Sequence, residues 1–195
     1  MKTKMSYVVF VGAALVAGAA SAQDAAKDQA RDVTQQQRIE QGLKSGQLST
    51  KEAGSLERQE QHVDRMEAKD LKNGSISPAE QARLNAAQNK VSNDIHADKT
   101  NDIKGNPNSA SSQRIQADVQ RNVNQQERIK NGISNGSLTN KETGALERGQ
   151  AHVDRREANA ARNGHVGARE QNRIQRSENR QSKRVYNKKH NARIR

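Results

Sequence analysis

The chain has 195 residues, a formal net charge of +12 and no cysteine, so disulfides, a thiolate nucleophile and a thiolate metal site are all excluded. Only 31% of it is hydrophobic and 2% aromatic, with a mean hydropathy of −1.14. That composition lies near the disorder boundary, so folded stability is expected to be low or to depend on a partner.

The first residues read as an export signal. Lys2 and Lys4 precede an apolar run from Tyr7 through Val16 to Ala20, followed by Ala20-Ser21-Ala22, a small-x-small cleavage pattern. The run is shorter than the roughly 20 residues a membrane span needs. Residues 1–22 are therefore expected to be removed after Ala22, leaving a periplasmic or secreted chain that begins at Gln23.

Beyond the signal the sequence predicts six helices, over 25–44, 50–72, 78–101, 113–134, 140–162 and 168–191. Gly46, Gly74, Gly136 and Gly164 each fit the left-handed residue that ends a helix. Ser49, Ser77 and Thr139, each followed three residues later by Glu, are capping boxes that start the next helix. Pro78 suits the first helical position, and Gly167 makes the fourth start weaker. Ile39 and Leu43, then Leu56, Val63 and Met66, then Leu84, Val91 and Ile95, form narrow apolar seams at helical spacing.

An offset of 90 residues aligns the two halves, with 19 identities in 34 positions between 35–68 and 125–158. The expected fold is all-α: a tandem duplication of a three-helix unit, with short loops making neighbours antiparallel. The units are 23–103 and 113–195, joined by a turn-rich flexible linker at 104–112. The second unit is expected to pack less well, because Arg156 stands at the place of Met66 and Gln181 at that of Val91.

The turns share a Gly-x-aliphatic-x-x-x-Glu pattern ending at Glu52, Glu80, Glu142 and Glu170. It resembles positions 6, 8 and 12 of an EF-hand loop, which would make those four glutamates calcium ligands. Positions 1 and 3 instead hold Gln41 and Leu43, Lys69 and Leu71, Asn131 and Ile133, and Asn159 and Ala161. One carboxylate per loop is too few for a hard cation, and capping explains the glutamates. Leu48-Ser-Thr-Lys-Glu52 and Leu138-Thr-Asn-Lys-Glu142 also resemble the Leu-Thr-x-x-Gln motif of periplasmic stress chaperones, which implies client proteins as partners. The mature chain as a whole is similar to signal-bearing proteobacterial helical proteins built on Gly-x-Leu-Thr-x-x-Glu repeats. That resemblance brings no activity with it.

No catalytic constellation is visible, and no cofactor is expected. His62-x-Asp64 and its copy His152-x-Asp154 put imidazole and carboxylate on different helix faces. The charge is uneven: residues 23–111 sum to −1 and residues 112–195 to +11. Arg169, Arg173, Arg176, Arg180 and Arg184 recur along one helical stripe, with Lys188 and Lys189 beyond. The expectation is a non-catalytic envelope protein, chaperone-like or binding an anionic surface or polymer. Lipid head groups, lipopolysaccharide and nucleic acid without sequence specificity all fit, since aromatics for base stacking are nearly absent. Divalent-cation binding through the Gly-x-Leu-x-x-x-Glu turns is the alternative.

Overall fold

The computed structural model describes residues 14–191, and side chains from residue 24 onward. The signal's Lys2 and Lys4, and Arg193 and Arg195 at the other end, lie outside the described residues. The fold is all-α. Its helices are α1 (Ala14–Ser45), α2 (Thr50–Asp70, continued by a 3-10 turn at Leu71–Asn73), α3 (Pro78–Thr100), α4 (Ala110–Ser134), α5 (Asn140–Ala161) and α6 (Ala168–Lys189). None is long and apolar enough to cross a membrane.

The turns follow from local chemistry. The Ser49 hydroxyl accepts from the Glu52 N–H at 3.2 Å, while the Glu52 carboxylate accepts from the Ser49 N–H at 2.9 Å. Ser77 with Glu80 and Thr139 with Glu142 repeat the exchange. Gly167 has no hydroxyl, and only the half made by the Glu170 carboxylate remains, at 2.9 Å. Gly46, Gly74, Gly136 and Gly164 have φ of 73°, 99°, 76° and 82°, where a Cβ would be strained.

Two separate three-helix units were the expectation, but the closest packing runs between the halves: α2 lies against α5 and α1 against α4. The reason is a pair of glycines. Gly54, near the start of α2, touches the end of α5 so closely that a Cβ there would sit 2.5 Å from the Ala161 Cβ. At the opposite end of the seam a Cβ on Gly144 would lie 3.0 Å from the Leu71 Cβ. α2 and α5 are therefore an antiparallel central pair. α1 and α4 complete a four-helix bundle, α3 packs outside on α1 and α2, and α6 outside on α4 and α5. Arg38 ties α3 to α1 by donating to the Ser92 hydroxyl at 2.6 Å, and Arg128 does the same to Ser182 at 2.7 Å.

The segment 104–112 is not a free linker. The Gly105 N–H donates to the Gly46 carbonyl at 2.9 Å, and Gln116 donates to the Pro107 carbonyl at 2.9 Å. The join is thereby fixed against the first turn.

Apolar residues collect at the two ends of the bundle. One cluster gathers Ile39, Leu43, Leu48, Leu56, Ile115, Ala161, Val166 and Ile174 around the Gly46 and Gly164 turns. It continues along α3 through Leu84, Val91 and Ile95. The other gathers Leu71, Ile129, Ile133, Leu138, Leu146 and Val185 around the Gly74 and Gly136 turns. Met66 is only half-buried. The second half packs despite its two polar replacements. Gln181 is buried and donates to the Leu146 carbonyl at 2.8 Å, in the space Gly149 leaves open, and Arg156 points to solvent.

Gly54→Ala tests the close approach. Alanine is the better helix former by about 1 kcal/mol, yet overpacking the seam should make the variant less stable by about 1–3 kcal/mol. Thermal unfolding reads the loss, and the double variant G54A/A161G should recover much of it. A Gly54→Ala protein as stable as the parent would mean the seam is loose.

Candidate metal centre

Between the two apolar ends, the middle of the bundle is lined by carboxyl groups. On α2, Glu57, Glu60, Asp64 and Glu67 follow one another at spacings of 3, 4 and 3, which keeps them on one face. On α5 the matching positions are Glu147, Gln150, Asp154 and Glu157. α1 contributes Asp28 and Asp32, and α4 contributes Asp118 and Asn122. All twelve side chains are buried, Asp64 and Asp154 at 1% exposure.

Two carboxylate triads stand out, each with one oxygen per residue within 4.8 Å of the others. They are Asp32, Asp64 and Glu67, and Glu57, Asp154 and Glu157. The two adjoin across the α2–α5 seam, which carries Asp64 in one and Asp154 in the other. Amides supply part of the surrounding shell. Gln29 donates to Glu67 at 2.9 Å and to Asp32 at 3.2 Å, and Gln88 to Asp32 at 2.8 Å. In the other triad Gln36 donates to Glu57 at 3.0 Å and Asn122 to Glu157 at 2.8 Å.

The shell leaves much of the centre without donors. Both carboxylate oxygens of Asp64 and Glu60 receive no N–H or hydroxyl donor, nor does one oxygen each of Glu57, Glu67, Asp154 and Glu157. No Lys, Arg or His is buried among the described residues. Two half-buried arginines reach the edge of the centre: the Arg121 Nε lies 3.2 Å from Glu178, and the Arg31 charge acts on Asp28 and Asp32. Burial, and then the charges of neighbouring acids, pushes Asp64, Glu60, Glu67 and Glu157 well above the usual carboxylate range. Burial raises Asp32 to about 7, and Glu178 to about 8 with help from the Asp118 charge. A group of oxygen ligands with excess negative charge and no internal counter-charge is what a hard cation requires. Among the described residues neither imidazole nor sulfur enters it: all five histidines are exposed, so His62 and His152 face away from Asp64 and Asp154.

The residues singled out in the sequence lie elsewhere. Glu52, Glu80, Glu142 and Glu170 sit at the four turns as caps, and the Ser77 hydroxyl lowers the Glu80 pKa. Glu52 also accepts from Asn101 at 2.8 Å and Glu142 from Asn191 at 2.6 Å, so capping and neighbouring amides occupy both oxygens. Arg169, Arg173, Arg176, Arg180 and Arg184 are exposed on the outer side of α6. Lys188 and Lys189 are half-buried, with the Lys188 Nζ 3.9 Å from Glu142. The buried acids were missed, although their 3-4-3 spacing carried the signal: it is the spacing of a packed seam, filled with acids. Comparison with protein-family models, with curated proteins and with solved structures returns no match.

The raised pKa values fix the sign of the pH dependence without cations. Folded carboxyls here keep protons that unfolded ones, near 3.8 to 4.5, release. The folded state binds more protons, so stability falls as pH rises through the window from about 4 to 8. Denaturant melts in chelator at pH 5 and pH 8 should give the lower midpoint at pH 8. A midpoint that rises with pH would mean the centre is hydrated or charge-compensated.

Proposed function

We propose that this protein is a non-catalytic cation-binding protein of the bacterial envelope, which holds hard divalent cations of the calcium and manganese kind in the centre of its four-helix bundle. The observation that carries the reading is the set of buried carboxylate oxygens with no donor and no buried base beside them. An uncompensated buried charge is strongly destabilising. A divalent ion supplies the missing counter-charge, and the triads supply the several oxygens such an ion needs to replace its water. Inward-pointing acids on facing helices are an established way for bundles to hold metals. The all-oxygen donor set favours calcium, magnesium or manganese over zinc or copper. Export, expected from residues 1–22, would place the protein where such ions are plentiful.

The test is titration of chelator-stripped protein with calcium, magnesium and manganese, read by calorimetry and thermal unfolding at pH 7.5. At least one ion should raise the melting temperature by several degrees. The double variant D64N/D154N should lose that rise, and Glu52→Gln, at a cap, should keep it. A rise abolished by Glu52→Gln and kept by D64N/D154N would assign binding to the turns instead.

A second reading rests on α6. Its buried face carries Gln171, Ile174, Glu178, Gln181 and Val185, while the arginines from Arg169 to Arg184 stand exposed. That arrangement supports binding to an anionic surface, with affinity falling as salt rises. Co-sedimentation of the full chain with anionic and neutral vesicles checks it. Replacing Arg173, Arg176 and Arg180 by Glu should remove most anionic-vesicle binding. Binding indifferent to salt would leave the arginines as a solvated face.

A further inference from the structure

We infer that the centre is a two-ion site, one cation in each carboxylate triad, with Asp64 and Asp154 between them. This rests on the cation reading above and goes beyond it by assigning number and bridge.

Number follows from how the ligands are divided. The six acids fall into two groups whose atoms lie within 4.8 Å of one another inside each group: Asp32, Asp64 and Glu67, and Glu57, Asp154 and Glu157. In each, one helix supplies an Asp and a Glu three residues apart, on one face and adjacent turns. Each group draws its third acid from another helix: Asp32 from α1, Glu57 from α2. The groups adjoin across the antiparallel α2–α5 pair, which carries Asp64 in one and Asp154 in the other. Both oxygens of Asp64 and one of Asp154 have no donor, which leaves them to act as shared ligands.

The two triads are equally equipped for a cation. In each, three of the six carboxylate oxygens accept from an amide and three have no donor. The halves differ in a compensating way: at the 90-residue offset Asp32 corresponds to Asn122, while Gln88 corresponds to the buried Glu178.

Manganese(II) is the probe, because ions close together couple magnetically. Stripped full-length protein is titrated with manganese and followed by electron paramagnetic resonance and equilibrium dialysis. The expected stoichiometry is two ions per chain, with the isolated six-line signal giving way to a coupled spectrum as the second ion binds. Asp32→Asn should weaken one of the two binding steps. A single ion per chain or two ions with no coupling would overturn the two-ion assignment and leave cation binding standing. No manganese, calcium or magnesium bound at any concentration would overturn the cation reading itself. The wild-type stoichiometry needs no variant, so a misfolded substitution does not blunt the test.

Discussion

The whole fold is organised around acids that water does not reach and that have no buried base beside them among the described residues. Taking a carboxylate out of water without a partner is among the most unfavourable things a chain can do. This one does it repeatedly along the α2–α5 seam, where the donors that reach the acids are side-chain amides such as those of Gln29, Gln36 and Asn122. Protons or cations must therefore accompany the acids into the bundle, and the stability of the fold is tied to their supply. Composition places the chain near the disorder boundary, and the seam shows why: positions that would hold leucine or valine in an ordinary bundle hold Glu57, Glu60, Asp64 and Glu67 instead.

The rest of the structure confines that unfavourable middle. Apolar clusters at both ends keep water from entering along the bundle axis, and the Gly54–Ala161 and Gly144–Leu71 contacts draw α2 and α5 close enough to seal the seam. α3 and α6 cover the flanks with helices that are themselves half polar inside: Gln88 reaches Asp32 from α3, and Gln171 reaches Asp118 from α6 at 2.6 Å. The turns contribute rigidity at no expense to the centre, since the glutamates that cap them spend their oxygens on backbone and neighbouring amides. Two populations of acidic side chains emerge. One is peripheral and fully engaged in folding, and the other is central and poorly engaged.

Much of the fold was legible in the sequence, because it is written in local signals. Left-handed glycines, capping boxes and Pro78 fix where helices stop and start, so the six helices fall within a few residues of expectation, α1 apart, which begins earlier at Ala14. How the halves meet was not legible. That choice depends on Gly54 and Gly144, which read locally as weak helix formers and act as contact points only once α5 is present. The centre was hidden for a related reason. An acid on a helix reads as solvent-facing, and Leu56 and Val63 beside the acids drew the seam toward themselves. Physical periodicity alone favours neither stripe; what decides is that α5 presents the same acids from the other side. The identity of Leu-Glu-Arg and His-Val-Asp-Arg in both halves, added to the 3-4-3 spacing, hinted that these acids mattered as a set.

Burying the acids also changes what the outside of the molecule looks like. The formal charge of +12 counts every carboxylate equally, yet the acids of the centre are screened from solvent and, once protonated or bound to cations, carry little charge to the surface. What remains outside is more basic than the sequence total suggests, most of all on α6, where Arg169, Arg173, Arg176, Arg180 and Arg184 are exposed. The two halves of the charge inventory are thus separated by depth as well as by sequence. An acidic interior and a basic exterior coexist because two apolar clusters and a tight helix seam stand between them. The same separation joins the two proposed readings: if the centre holds cations, each one that neutralises ionised carboxylates, rather than displacing protons, strengthens the field an anionic partner meets at α6.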